Sequence, residues 1–216
     1  DVQGKGLYAI GTAFAVLGAF REAAHRERTL AAVVTAMDEA VMRYNSYAAR
    51  VGRPERFVTA LVLCFDDVDG GKKAEAVNCG HVPLYRLHRK GSGPVLHSEP
   101  NVPLGLGSLA QGPRRVEWFD FPPDTTLLLC TDGVTEARSP SGEFFPLSKR
   151  LSAWSRVPPA ELVDTIRTDL HRFTHGDVLD DIAILTIRHA SATSRLELEY
   201  PRGRLRLHRS TRPQAR

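Results

Sequence analysis

Cysteine is scarce in this chain of 216 residues. Cys64, Cys79 and Cys130 sit in apolar, strand-like segments, and none is in C-x-x-C spacing. That argues against a disulfide framework or a thiolate zinc site and fits buried free thiols in a reducing compartment. No apolar run approaches the roughly 18–20 residues that cross a bilayer. Nor does a basic start, an apolar stretch and a small-residue cleavage site occur in the order a secretory signal needs. No internal repeat is visible. His25, His88, His97, His171, His175 and His189 are expected to form no zinc site. GKG at 4–6 lacks the rest of a P-loop, because Leu7 stands where Ser or Thr would meet Mg²⁺. The Arg-rich end, 202–216, has no interleaved aromatic, so nucleic-acid binding is not expected.

What is present is ordinary globular composition, 42% hydrophobic and 25% charged, which rules out a disordered chain. The net charge of +4 is uneven. Residues 188–216 hold eight Arg against two Glu, so residues 1–187 carry about −2. The basic character belongs to a C-terminal extension at 189–216, and the expected domain is 1–188. Because it opens on Asp1 without Met, the chain is expected to be a piece of a longer one.

Helical spacing of Leu7, Ile10, Phe14, Leu17 and Phe20 predicts a long, well-buried helix ending near Glu27. Thr29 caps a second helix with Leu30, Val33, Val34, Met37, Val41 and Tyr44 on one side, stopped by Gly52. RFVTALVLCFD, KAEAVNCG, PLYRLHR, RRVEWFDF and TLLLCTD read as strands, with a hairpin turn at DVDGGKK and a turn at KGSGP. EPNVPLGLGSLAQG reads as loop. PLSKRLSAW and PPAELVDTIRTDLHRF read as helices, and DIAILTIRH as a last strand. The tail is expected to be a hairpin or loose. The order gives an α+β fold, a helical pair on a sheet.

Acidic residues meet the ends of apolar segments three times. Asp1 precedes a glycine-rich turn, Asp132 ends the LLLC strand, and Asp180 and Asp181 precede IAILTI. One such Asp is an ordinary turn residue. Three together could supply the oxygen ligands that a hard divalent cation needs. Two metals sharing a carboxylate could clamp a phosphoryl group for in-line attack by water.

DVQGKG, RFVTALVLCFD, NCGHVPLYRL, PLGLG, LLLCTDGVTEAR, GEFF and DDIAILTIR stand in the order seen in bacterial metal-dependent (PPM, type 2C) serine/threonine protein phosphatases of the SpoIIE branch. The chain resembles that family over residues 1 to about 188. The resemblance implies a four-layer α-β-β-α sandwich with a metal centre at one end of the sheets. It implies two Mn²⁺ or Mg²⁺ ions. Asp1 would bridge them, the Val2 carbonyl would help hold the first, and Asp132 and Asp180 would hold the second, with Asp181 in support. A metal-activated water would hydrolyse phosphoserine or phosphothreonine, with no cysteine nucleophile. This agrees with the absence of a C-x5-R motif. The implied substrate is a STAS-type anti-anti-sigma factor, and the implied context is an upstream sensor domain. The implied location is the cytoplasm, with any membrane anchor in an upstream part.

The chain departs from that pattern in two places. The family's upstream GGDWYD-type strand, with a further ligand for the first metal, is not in this chain, so the domain is expected to lack its N-terminal strand. Gln3 stands where eukaryotic members carry an acidic His, and an amide cannot donate as an acid. The alternative expectation is a pseudophosphatase that serves as a protein-binding module. Lys5 reads as a turn residue that could help neutralise phosphate. Gly133 is expected to let the chain turn after Asp132. His81, in the Asn78–His81 cluster, reads as a structural histidine at a turn. Phe144 and Phe145 read as anchors for a flap within 134–159.

Overall fold

The computed structural model describes residues 1–65, 72–176 and 180–189. Most of the expected DVDGGKK turn, part of the loop before Asp180, and the tail from 190 lie outside the described residues. The elements are helices α1 (Leu7–Arg26) and α2 (Leu30–Arg50), then strands β1 (Ala60–Phe65), β2 (Lys73–Cys79), β3 (Tyr85–Leu87), β4 (Gly93–Pro94), β5 (Glu117–Asp120) and β6 (Thr126–Cys130). Helices α3 (Asp132–Thr135), α4 (Leu147–Trp154) and α5 (Pro159–Thr174) and strand β7 (Ile184–Arg188) complete it.

The strands form two antiparallel sheets, β1-β2-β5 and β4-β3-β6-β7. Helices α1 and α2 cover the first sheet and α4 and α5 the second, giving the four layers α-β-β-α. Three apolar cores fill the gaps between layers, and the strands alternate to serve two cores each. In β2, Val77 and Cys79 face the α1–α2 layer, while Ala74 and Ala76 face the other sheet. In β6, Leu128 and Cys130 face α4 and α5, while Leu127 and Leu129 face the first sheet. A strand buried on both faces reads as a continuous apolar run rather than an alternating one. That is why LLLC carries no polar residue before Thr131 and Asp132.

Helix α2 forms as the sequence indicates. The Thr29 hydroxyl accepts from the Ala32 N–H at 3.2 Å, satisfying one orphan donor. Gly52 takes φ 71°, and Arg53 N–H reaches back to the Ala48 carbonyl at 2.9 Å, closing the helix. At KGSGP the structure adds the short strand β4, paired with β3.

Helix α1 has the expected length and the opposite facing. Leu7, Ile10, Phe14, Leu17 and Phe20 point outward, with Leu7 76% and Phe14 70% exposed. The inner side is Ala9, Thr12, Val16 and Ala23, also at helical spacing. A small-residue side lets α1 approach α2 closely: a side chain on Gly11 would meet the Tyr44 hydroxyl. Periodicity alone favours the bulkier stripe, but the packing uses the smaller one. By length and composition α1 is apolar enough to cross a membrane, which corrects the expectation that no run approaches that length. Phe14→Asp is therefore expected to change unfolding free energy by less than about 0.5 kcal/mol, as a surface substitution does. A loss of several kcal/mol in urea unfolding would mean that Phe14 is covered.

Cys79 and Cys130 are buried as expected, and burial pushes each thiol up to about 11. Cys64 is exposed, because the end of β1 runs out past the cores. Phe145 is buried beside Trp154 and Phe173, whereas Phe144 is half exposed under the Arg138 guanidinium. Only the second of the two aromatics anchors the segment.

One buried ion pair ties helix to loop. Arg114 meets the Asp38 carboxylate at 3.0 Å, both side chains being nearly enclosed. The other Asp38 oxygen accepts the Gly105 N–H at 2.7 Å. Arg114 also donates to the Val102 carbonyl and the Cys79 sulfur. This anchors the PLGLG loop, and Leu104 of that loop pairs with Val58 beside the N-terminal segment.

Candidate metal centre

The site lies where three segments reach the same end of the two sheets. Strand β6 pairs with β7 up to Cys130↔Ile184. Beyond that pair Thr131 N–H donates to the Ala183 carbonyl at 3.1 Å. The Thr131 hydroxyl then stitches the two chains together: it donates to the Asp181 carbonyl at 3.1 Å and accepts the Ala183 N–H at 2.9 Å. Asp132 follows on one chain and Asp180 and Asp181 precede on the other, so adjacent strand ends carry the carboxylates. On the other sheet, residues 1–3 run antiparallel to 57–59, with a Val2↔Val58 bridge. Asp1 and Thr59 exchange two backbone hydrogen bonds, 2.7 and 2.8 Å. Arg56 holds the Gln3 carbonyl from outside.

Asp1, Val2, Asp132, Asp180 and Asp181 all line one cavity of about 360 Å³, together with Lys5 and Thr59. The structure brings every candidate residue to this cavity. Lys5 is more than a turn residue, since its ammonium reaches Asp180 at 3.4 Å. The Asp181 N–H and then Lys5 hold the Asp180 carboxyl below the usual carboxylate range. The larger cavity against α5 and β7, about 670 Å³, has Asp164 as its single carboxylate and a mainly apolar lining.

Three features escaped the sequence reading. Thr131 acts as the stitch between strand ends. Gly133 does not sit at positive φ; it lies inside α3, and a side chain there would collide with the Asp181 carbonyl. Glycine is needed for close approach rather than for a turn. Gly133→Ala is expected to push the Asp181 segment away, costing about 1–3 kcal/mol as overpacking does. Urea unfolding reads the stability, and a cost under about 0.5 kcal/mol would mean the segment yields freely. The third feature is His81. Its Nδ1 is 2.9 Å from the Thr59 hydroxyl. Burial lowers its pKa below the usual histidine value, so it is neutral at neutral pH.

The side chains in the cavity lining that could ligate a cation are the carboxylates and the Thr59 and Thr131 hydroxyls, beside the Lys5 ammonium, the Gln3 amide and a few apolar groups, with no thiol or imidazole. Such a hard-oxygen set suits Mg²⁺ or Mn²⁺ rather than zinc or copper. His171 and His175 are four apart, but His175 has left the helix at φ 55°. Among the described residues no three His, Cys, Asp or Glu side chains stand together as a ready-made metal-ligand set.

The family model described as Stage II sporulation protein E (SpoIIE) matches residues 1–190. The chain belongs to the SpoIIE family. Its fold is that of the PPM phosphatases. The SiaA-PP2C domain of Pseudomonas aeruginosa superposes on it with a TM-score of 0.70 at 18% identity, over 87% of this chain and 73% of that one. The catalytic domain of the serine/threonine protein phosphatase PstP, solved in complex with two manganese ions, superposes with a TM-score of 0.59 at 15% identity, over 86% and 84%. Protein IcfG of Synechocystis sp. is 25% identical over 158 residues, 72% of this chain. This SpoIIE-family chain spans about a quarter of IcfG, 24% of its length.

Proposed function

We propose that this SpoIIE-family domain hydrolyses phosphoserine or phosphothreonine on a regulatory protein, using Mn²⁺ or Mg²⁺. The observation that carries the reading is the gathering of Asp1, Asp132, Asp180 and Asp181 from three separate segments around one cavity. Asp1 and the Val2 carbonyl would serve the first ion, Asp132 and Asp180 the second, with Asp181 in support. The two manganese ions of PstP, on the same fold, favour this assignment. Bound there, the ions would supply Lewis-acid stabilisation of the phosphoryl oxygens and an activated water. Lys5, at the rim beside Asp180, gives a phosphoryl oxygen a nearby positive charge. Gln3 contributes backbone pairing with Phe57 and no proton.

A groove of about 600 Å³ adjoins the site and is lined by Lys5, Glu136, Arg138, Ser139 and His175, among others. Side chains of both signs suit a protein segment around the phosphoresidue rather than a small anion. The partner in this reading is a STAS-type anti-anti-sigma factor, the domain works in the cytoplasm, and a sensor domain precedes it. The outward apolar side of α1 supports a neighbour on that helix. A serine-phosphorylated STAS protein is then expected to be dephosphorylated at least about 10-fold faster, in kcat/KM, than an isolated phosphopeptide of the same sequence. Equal rates would remove the STAS assignment and leave the phosphatase reading standing.

One observation favours a second reading, a protein-binding module without catalysis. It is the lack, among the described residues, of a closed metal-ligand set. Mn²⁺ titration separates the two readings, since a binding module takes up its phosphoprotein without releasing phosphate.

A further inference from the structure

We propose that the protein docks on an anionic membrane surface through a basic groove at the far end of the second sheet from the metal centre. Strands β6 and β7 fix that placement. Asp132 follows β6 and Asp180 and Asp181 precede β7, whereas Asp124 lies before β6 and Arg188 ends β7. Asp124 and Arg188 line a groove of about 490 Å³ with Arg89 and Lys90, from the β3–β4 turn, and Arg156, from the α4–α5 turn. The length of β6, a rise of about 17 Å, separates the groove from the metal centre.

Four cations meet one carboxylate there. Arg188 is already engaged: its guanidinium reaches Asp124 at 3.1 Å and donates to the Thr126 hydroxyl at 3.3 Å. The side chains of Arg89, Lys90 and Arg156 are exposed and make no hydrogen bond or ion pair among the described residues. Like charges gathered by separate turns repel one another, and an extended anionic surface relieves that repulsion. The groove carries a surplus of three positive charges, and residues 189–216 add five more, seven Arg against two Glu. The rest of the chain then carries about −4. The extension leaves from this same end, since it follows Arg188 directly. The other end gathers the carboxylates of the metal centre. A planar negative surface orients a molecule charged in this way: the basic end faces the lipid headgroups, and the metal centre stays in solvent, open to a phosphoprotein. Two observations favour a membrane over a nucleic acid. The groove cations stand on separate turns, not along one helix or ribbon that enters a duplex groove. In the extension Arg alternates with Leu, as in GRLRL at 203–207, and no aromatic stands among the Arg of 202–216 to stack on a base. Leucines beside arginines suit the boundary between headgroups and acyl chains.

The test is co-sedimentation of the intact protein with vesicles of equal parts phosphatidylcholine and phosphatidylglycerol, and with vesicles of phosphatidylcholine alone. Binding to the mixed vesicles only, falling steeply as salt is raised, is the expected result. Arg89→Gln, Lys90→Gln and Arg156→Gln combined are expected to weaken it at least about 10-fold and to leave thermal unfolding unchanged. Asp124→Asn removes the groove's one carboxylate and is expected to tighten binding about 5-fold. Asp124 stands at φ 64°, a conformation that Asn also adopts, so the turn is kept. Partial unfolding does not mimic tighter, salt-sensitive binding. Equal binding to both kinds of vesicle would move the contact to the outward apolar side of α1 and overturn the proposal. Absence of binding to the mixed vesicles, or wild-type binding by the triple variant, would overturn it too. Tighter binding to a DNA duplex than to the mixed vesicles at the same salt would make the groove a nucleic-acid site instead. None of these outcomes bears on phosphate release, which is read separately with a soluble phosphoprotein.

Discussion

Asp132→Asn is expected to lower Mn²⁺-dependent phosphate release by at least about 100-fold, since even outer-shell changes cost 10–100-fold and this is an inner ligand in the proposed site. The substitution is close to isosteric. It replaces a carboxylate with a neutral amide at the end of β6, one residue beyond the Thr131 stitch. No described residue hydrogen-bonds the Asp132 carboxylate, while its backbone carbonyl takes the Glu136 N–H and the Thr135 hydroxyl, which the amide leaves untouched. Stability should therefore stay within about 0.5 kcal/mol. Loss of activity with unchanged unfolding would place Asp132 in the chemistry. Residual activity above about a tenth of wild type would move the metal ligation elsewhere.

Asp38→Ala is expected to have the largest effect on folding, about 3–5 kcal/mol, with little change in the urea m-value. It leaves Arg114 as a buried guanidinium without its partner and Gly105 N–H without its acceptor. Asp38→Asn keeps an acceptor for Gly105 and should lose less. The consequence reaches the site, because the PLGLG loop held by Asp38 pairs through Leu104 with Val58, next to Thr59 and Asp1. Urea unfolding monitored by Trp fluorescence measures it. A loss below about 1 kcal/mol would show that the pair is replaced by solvent without strain.

The sequence made the chemistry legible where it depends on strand ends. The TLLLCTD and DIAILTI segments are apolar runs that stop at Asp132 and start after Asp181, and antiparallel pairing of the two puts those carboxylates side by side. The four layers follow from the order of helices and strands in a chain resembling the PPM phosphatases. The facing of α1 was not legible, because Leu7–Phe20 carries two apolar stripes of helical spacing and only packing against α2 selects the smaller one. The reason for Gly133 was hidden because a tight approach by a distant segment looks, in sequence, like any strand-end turn. Asp38 with Arg114, and His81 with Thr59, are long-range pairs of ordinary polar residues. Nothing local to either partner marks them.

In the proposed reading, this domain releases phosphate with the help of divalent cations held by Asp1, Asp132 and Asp180. The most direct measurement is phosphate release from a phosphoserine protein by the intact protein, with Mn²⁺ and then with excess EDTA. Turnover that appears with Mn²⁺, stops with EDTA and returns when Mn²⁺ is restored is the expected result. Turnover that persists in EDTA, or none at any Mn²⁺ concentration, would contradict it.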